Sequence, residues 1–319
     1  GGLAFNGGDP TTGPGDKLNI IGGSATTQTF NFTNENDGSV VLAGSTVAGT
    51  ISYTGLEPVS STVDAANVIL NYSAVTETIT VSQDGGTPAQ TLVDSNVGGE
   101  SVSFLNPTTS LAINGGDTGD DTISVNGFGT SGGGFTAGLT VNGGTGNDTV
   151  NIATSINFAS GNNLNVDLQD DNASPGIDQF NLNSGTLALT GTGSATIKVS
   201  QQATFVGSIT AVNGGITVEA NQQLTPTAGN FRGVTLNTGN LTTSGTGNIL
   251  VNGKGGNDAA TGSHRGVFLT GGSIRSTSAA VGAGTITING TGGGGIATNR
   301  GVEIFNLASV SSVVGDISI

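Results

Sequence analysis

The sequence predicts an all-β chain wound as a parallel β-helix, in which successive coils of one polypeptide stack as the rungs of a solenoid. Three observations predict it. Short runs alternate apolar and polar residues at a period of two, the signature of a half-buried strand. Asn-Gly and Gly/Asp corners separate those runs, and the same unit keeps returning: 28 positions from Leu111 to Leu139, 25 from Leu139 to Leu164, then 33 and 35 between Arg232, Arg265 and Arg300. A repeat of this size means stacked supersecondary units, not one globular core.

Residues 3–20 carry the first copy of this grammar: the alternating run LAF, the corner Asn6-Gly7-Gly8 and a second run, Leu18-Asn19-Ile20. Residues 25–106 depart from it. Runs at 29–33, 39–42, 50–53, 67–72, 77–81 and 100–104 are joined by polar turns at 34–38 and 83–86, which reads as hairpin-linked strands. They form either a hairpin excursion from the same solenoid or a small sandwich. The regular pattern resumes at residues 111–125 (LAINGGDTGDDTISV) and 139–152 (LTVNGGTGNDTVNI), and more loosely at 164–182. Near Phe231 a second grammar begins: Arg-Gly-Val recurs at 232–234, 265–267 and 300–302, and Gly247, Gly284 and Gly315 each open a strand. The expected division is residues 1–231, a solenoid with Gly/Asp loops that includes the irregular 25–106 stretch, and residues 232–319, regular coils of about 33–35 residues.

Composition narrows the function classes. With 57 glycines, 34% hydrophobic residues and no Trp, Met or Cys, the chain has no disulfide framework, so its stability must come from backbone pairing and ladders of like side chains. Its net charge of -15 with only seven Lys and Arg argues strongly against nucleic acid and anionic membrane as partners. No apolar run approaches the roughly 20 residues of a membrane helix, so no membrane insertion is expected. The sequence opens without Met or a signal peptide and closes at 315–319, where earlier copies continue into Asn252-Gly253 and Asn289-Gly290. Both ends are expected to be cut from a running pattern, as in an excised piece of a longer protein or a subunit continued by its neighbours.

The strings VNGGTGNDTVNI, GTGNILVNGKGG and GVFLTGG resemble the β-strand-repeat regions of large bacterial surface and secreted proteins, including filamentous-haemagglutinin-like adhesins. The resemblance spans essentially the whole chain. It implies export, a secreted or cell-surface location, and a structural or adhesive task. Residues 143–150 (GGTGNDTV) also resemble the calcium-binding nonapeptide of haemolysin-type repeats, which works in nine-residue tandem copies. Here one match is full, that at 115–121 is a residue longer, that at 253–258 is broken, and none is in tandem.

Stacked coils would bring Asp117, Asp120 and Asp121 near Asn147 and Asp148, with Asp170 and Asp171 on the next coil. Two bare carboxylates about 5 Å apart repel by about 1 kcal/mol in water, and calcium with six to eight oxygen ligands would remove that cost. The other reading is Asx turns in solvent. Arg232, Arg265 and Arg300 occupy equivalent places, so they form either an interface stripe that captures an acidic partner or guanidinium groups that cap loop carbonyls. His264 is the only histidine; a lone loop histidine is ordinarily solvated and leaves no Ser-His-Asp or multi-His arrangement to build. The pairs Asp120-Asp121 and Asp170-Asp171 are similar to the acid and base of β-helix polysaccharide hydrolases, but that family's His and Arg companions have no counterparts near them. No catalytic residue is therefore assigned. Asn-Gly at Asn6, Asn114, Asn126, Asn142, Asn213, Asn252 and Asn289 makes tight corners, and stacked Asn side chains are expected to bond from coil to coil.

The expected function is that of a structural segment or subunit of an extracellular fibre, self-associating head to tail by strand-edge pairing. The alternatives are an adhesin stalk or glycan-binding β-helix and, further off, a polysaccharide-degrading enzyme.

Overall fold

A computed structural model of the chain describes residues 2–8, 16–44, 48–56, 58–73, 75–96, 101–116, 118–169 and 176–319. The fold is all-β, with a single three-residue 3-10 turn at Ser131–Gly133 among the described residues. The chain divides into two compact units, Gly1–Thr145 and Gly146–Ile319.

In the first unit the rungs and the hairpins belong to the same sheets. Sheet I runs in the order Gly2–Asn6, Gly49–Thr54, Gly38–Ala43, Ser24–Phe32, Asp64–Asn71, Ser110–Asn114 and Gly138–Asn142. Ser24–Phe32, Gly38–Ala43 and Gly49–Thr54 form an antiparallel meander. Ser24–Phe32 also pairs in parallel with Asp64–Asn71, which pairs in parallel with Ser110–Asn114. Sheet II repeats the device: Thr78–Gln83, Gln90–Ser95 and Val102–Leu105 are antiparallel neighbours, flanked by parallel pairing to Thr122–Val125 and Val59–Ser61. The 25–106 stretch is thus a hairpin excursion grown from the solenoid's own sheets. Its turns are built where the polar residues fall: Asn34 Oδ1 accepts from the N–H groups of Asn36 and Asp37, both at 2.9 Å, and Asp84 Oδ1 from those of Gly86 and Thr87. These are side-chain closures of the kind Asn and Asp favour.

Period-two alternation sends one set of residues inward and the other outward. Inside the first unit, Val40, Phe30, Leu70, Ile113 and Val141 stand in register across five strands, all fully buried. Leu111 likewise lies directly opposite Leu139. On the outer side of the same strands Asn31, Asn71, Asn114 and Asn142 form a column. Each amide nitrogen donates to the neighbouring amide oxygen: Asn71 to Asn31 at 2.8 Å, Asn114 to Asn71 at 2.7 Å and Asn142 to Asn114 at 2.7 Å.

The second unit is a three-faced parallel β-helix. Face A comprises Leu164–Leu168, Ala195–Val199, Ile216–Ala220, Ile249–Lys254, Ile286–Thr291 and Ile317–Ser318; face B comprises Thr149–Ile152, Gln179–Leu182, Gln202–Phe205, Val234–Asn237, Val267–Thr270 and Val302–Phe305. Face C comprises Ile156–Phe158, Thr186–Leu189, Ser208–Ala211, Asn240–Thr243, Ser273–Ser276 and Ser309–Ser312. Val166, Ile197, Val218, Val251 and Ile288 make one unbroken buried column on face A. The change of grammar near Phe231 leaves register intact, since Ala203 pairs with Val234 and Ile216 with Ile249 across it. Coil length varies freely, from 21 residues between Ala195 and Ile216 to 37 between Ile249 and Ile286, because the difference is taken up in corners.

Those corners need glycine where backbones touch. A Cβ on Gly266 would come within 2.6 Å of the Gly253 carbonyl oxygen and 2.7 Å of that of Gly301, so Arg-Gly-Val and Asn-Gly corners are mutually fitted surfaces. Gly144 has φ +92, and a Cβ there would strike the Gly116 carbonyl.

Removing core volume and removing a ladder bond should differ in size. Ile113→Ala is expected to cost about 2–5 kcal/mol, and Asn114→Ala, which deletes two neutral hydrogen bonds, about 1–3 kcal/mol. Urea unfolding of the two variants checks both values.

Candidate functional site

Of the seven residues expected to gather calcium, Asp117, Asp170 and Asp171 lie outside the described residues. Asp121 and Asp148 are 1% exposed and stand just before the strands Thr122–Val125 and Thr149–Ile152, whereas Asp120 and Asn147 are exposed. Asp120 and Asp121, neighbours in the chain, thus differ sharply in burial. The buried aspartates bond main chain one rung away. Asp121 Oδ1 accepts the Glu77 N–H at 2.8 Å, and Asp178 Oδ1 accepts the Asp148 N–H at 2.7 Å. Asp178 in turn accepts from the Ser200 hydroxyl at 2.5 Å. Outside, Asn147 Oδ1 accepts the Ile177 N–H at 2.9 Å. Among the described residues no group of three or more His, Cys, Asp or Glu is placed to hold a metal ion.

Glu77 and Asp178 escaped the sequence reading, although each precedes a strand as Asp121 and Asp148 do. Glu77 is 1% exposed. Burial raises its carboxyl above the ordinary glutamate value, and hydrogen bonds from the hydroxyls of Ser95 (2.7 Å) and Ser73 (3.4 Å) and from the Ser73 main chain only partly offset this.

His264 is a correction to expectation: it is fully buried rather than solvated. Its ring joins two loops, with Nε2 3.0 Å from the Thr261 hydroxyl and Nδ1 bonded to the Gly294 carbonyl. Its N–H donates to Asn299 Oδ1 at 3.1 Å, and its carbonyl accepts the Gly293 N–H at 2.9 Å. The long corners of two successive coils are pinned through this one residue.

The three arginines do recur at equivalent places, directly before adjacent strands of face B. The third residue after each differs: Thr235, Phe268 and Glu303, which stand opposite one another in register. The guanidinium carbons of Arg232 and Arg265 each lie 4.6 Å from the Phe268 ring centroid, a cation–π distance. Glu303 then receives the next two guanidinium groups, one oxygen bonding Arg265 and the other Arg300. Burial first, and the charges of Arg232 and Arg300 after it, push the Arg265 guanidinium below its ordinary value, yet arginine stays charged in proteins. Phe268 and Glu303 were legible only by aligning the three Arg-Gly-Val copies and reading on.

Beside this cluster an open groove of about 540 Å³ is lined by Gln202, Thr204, Arg232, Thr235, Asn237 and Thr270, together with Asn230, Phe231 and Ser263. Comparison with protein-family models, curated proteins and solved structures gives no match to this chain.

Two glutamate replacements should move stability in opposite directions. The folded state holds the Glu77 proton more tightly than the unfolded chain does, so stability should fall as pH rises from about 4.3 through the raised folded value. Glu77→Gln should flatten that fall and raise stability at pH 7. Glu303→Gln should instead destabilise by about 1–3 kcal/mol, because Arg265, whose side chain is 12% exposed, loses its carboxylate. Denaturant titrations across pH 4–8 test both.

Proposed function

We propose that the chain is a structural segment of an extracellular fibre, and that copies join head to tail by pairing strand edges. The observation that carries this reading is that the second unit keeps one register up to its outermost rung. Val302–Phe305, Ser309–Ser312 and Ile317–Ser318 are the outermost strands of faces B, C and A. Leu269 and Ile286 are 0% exposed, but their register partners Ile304 and Ile317 are 44% and 43% exposed. Phe305, Val313 and Ile319 are exposed as well.

An inward column and three backbone ladders run together to this rung, and strand edges are templates for further strands. A further rung in the same register, whether continued by the chain or supplied by a second copy, would bury these side chains at about 1.5–3 kcal/mol for each one fully covered. In the first unit the Gly2–Asn6 strand is exposed along its whole length and outermost in sheet I. The acidic balance and the resemblance to surface-protein repeats support an extracellular place for it. The mechanism is mechanical: each rung bonds the next, so added rungs add stability.

Negative-stain microscopy and sedimentation, run with and without calcium, test this. Fibres or a concentration-dependent series of oligomers are expected, and Ile304→Asp with Ile317→Asp should abolish them without shifting the melting temperature of the monomer. A monodisperse monomer at high concentration in both conditions would overturn the reading.

A further inference from the structure

The geometry points to a binding site for an acidic oligosaccharide in the groove on face B, with Arg232 as the group that receives a sugar carboxylate. This stands independently of the fibre reading. Charge is distributed very unevenly along the chain. Residues 1–145 hold thirteen Asp and Glu against one Lys, whereas residues 232–303 hold five Lys and Arg against two acids. Three of those five cations meet at one place, around Phe268 and Glu303. Glu303 serves Arg265 and Arg300. Arg232 has no carboxylate among the described residues, its described partner being the Phe268 ring, and it is the arginine that lines the groove.

The remaining walls decide what kind of anion fits. Gln202, Thr204, Thr235, Asn237 and Thr270 line the groove, and each of these side chains both donates and accepts. Thr204 stands opposite Thr235, and Asn237 opposite Thr270, so these groups repeat at the strand spacing of about 4.8 Å, close to the length of one sugar ring. The volume lies within the range of sites that take small organic ligands, and a lone inorganic anion would fill little of it. Phe231 and Phe268 are only 7% and 8% exposed, so no aromatic face is open for a base to stack on, and the chain's net charge of -15 repels a phosphodiester polymer. A hydroxyl-rich ligand carrying a carboxylate uses every one of these features, the guanidinium fork taking the carboxylate side-on.

The test is calorimetric titration of the full chain with a galacturonic acid tetramer, beside the same tetramer with its carboxyl groups reduced to alcohols. The acidic tetramer should bind once per chain, at least tenfold tighter than the neutral one, and weaken as salt is raised. Arg232→Gln should weaken it at least tenfold, and Thr235→Val severalfold, with unchanged melting temperatures. Arg275→Gln, on the exposed side of face C, should leave it unaltered. Equal binding of the two tetramers, no binding of the acidic one, or retained affinity in both groove variants would overturn the assignment. So would an Arg232→Gln chain that binds sugar normally but no longer self-associates in sedimentation, since that would give the arginine to a contact between copies.

Discussion

Each rung must offer its backbone to the next in the same register, and this one constraint shapes the rest of the molecule. Parallel strands bond at a fixed separation of about 4.8 Å, so whatever side chain a rung carries at a position meets the side chain at that position on its neighbours. Inward positions are then mostly apolar, as in the Val166, Ile197, Val218, Val251 and Ile288 column, while on face C the small polar Thr243 and Ser276 stack on each other instead. Outward positions must tolerate their own kind. Asn does so because its amide both donates and accepts, and the Asn31, Asn71, Asn114 and Asn142 column is bonded throughout. The constraint acts on strands and spares corners, which explains how coils of such different length keep one register.

The same constraint sets the fate of charged groups. A carboxylate cannot be stacked on its own kind without cost, so the buried acids of the corners turn to main-chain N–H groups: Asp121 to Glu77 and Asp178 to Asp148. Glu303 solves the problem differently, by standing between two guanidinium groups. Glu77 is buried, and its hydrogen bonds from Ser95 and Ser73 do not outweigh the loss of solvent, so its proton affinity is raised. Exposure matters as well: Arg300 is 54% exposed and adds little to stability, whereas Arg265 and its partner are largely shielded from solvent.

Strands, corners and columns were legible in the sequence because they depend on period-two alternation and on Asn-Gly, both local signals. The choice between hairpin excursion and sandwich for residues 25–106 was not, because it turns on Ser24–Phe32 pairing in parallel with Asp64–Asn71, a contact between strands far apart in the chain. Adjacent acids such as Asp120 and Asp121 read as alike in one dimension, yet one is exposed and the other buried, a difference set by how the corner packs against its neighbouring rung. His264 looked solvated because nothing local shows that the corner near Gly293 packs over it. The arginine stripe was visible as a spacing, but its chemistry lay in the residue three places on, where Thr235, Phe268 and Glu303 break the repeat.

That break explains how a uniform solenoid acquires a site. A column of identical residues presents the same surface at each rung and distinguishes no position along the axis. When one position reads Thr, then Phe, then Glu while the arginine before it is kept, the first rung has a guanidinium with no carboxylate among the described residues, the second an aromatic seat and the third a counter-ion. Such a site depends on register within the strand, not on coil length. A residue added in the corner near Thr261 would leave the order of faces intact. One added inside Val267–Thr270 would shift the side-chain alternation by one, carrying Leu269 outward and Phe268 into the core, and the three guanidinium groups would lose the ring and the alignment that hold them together.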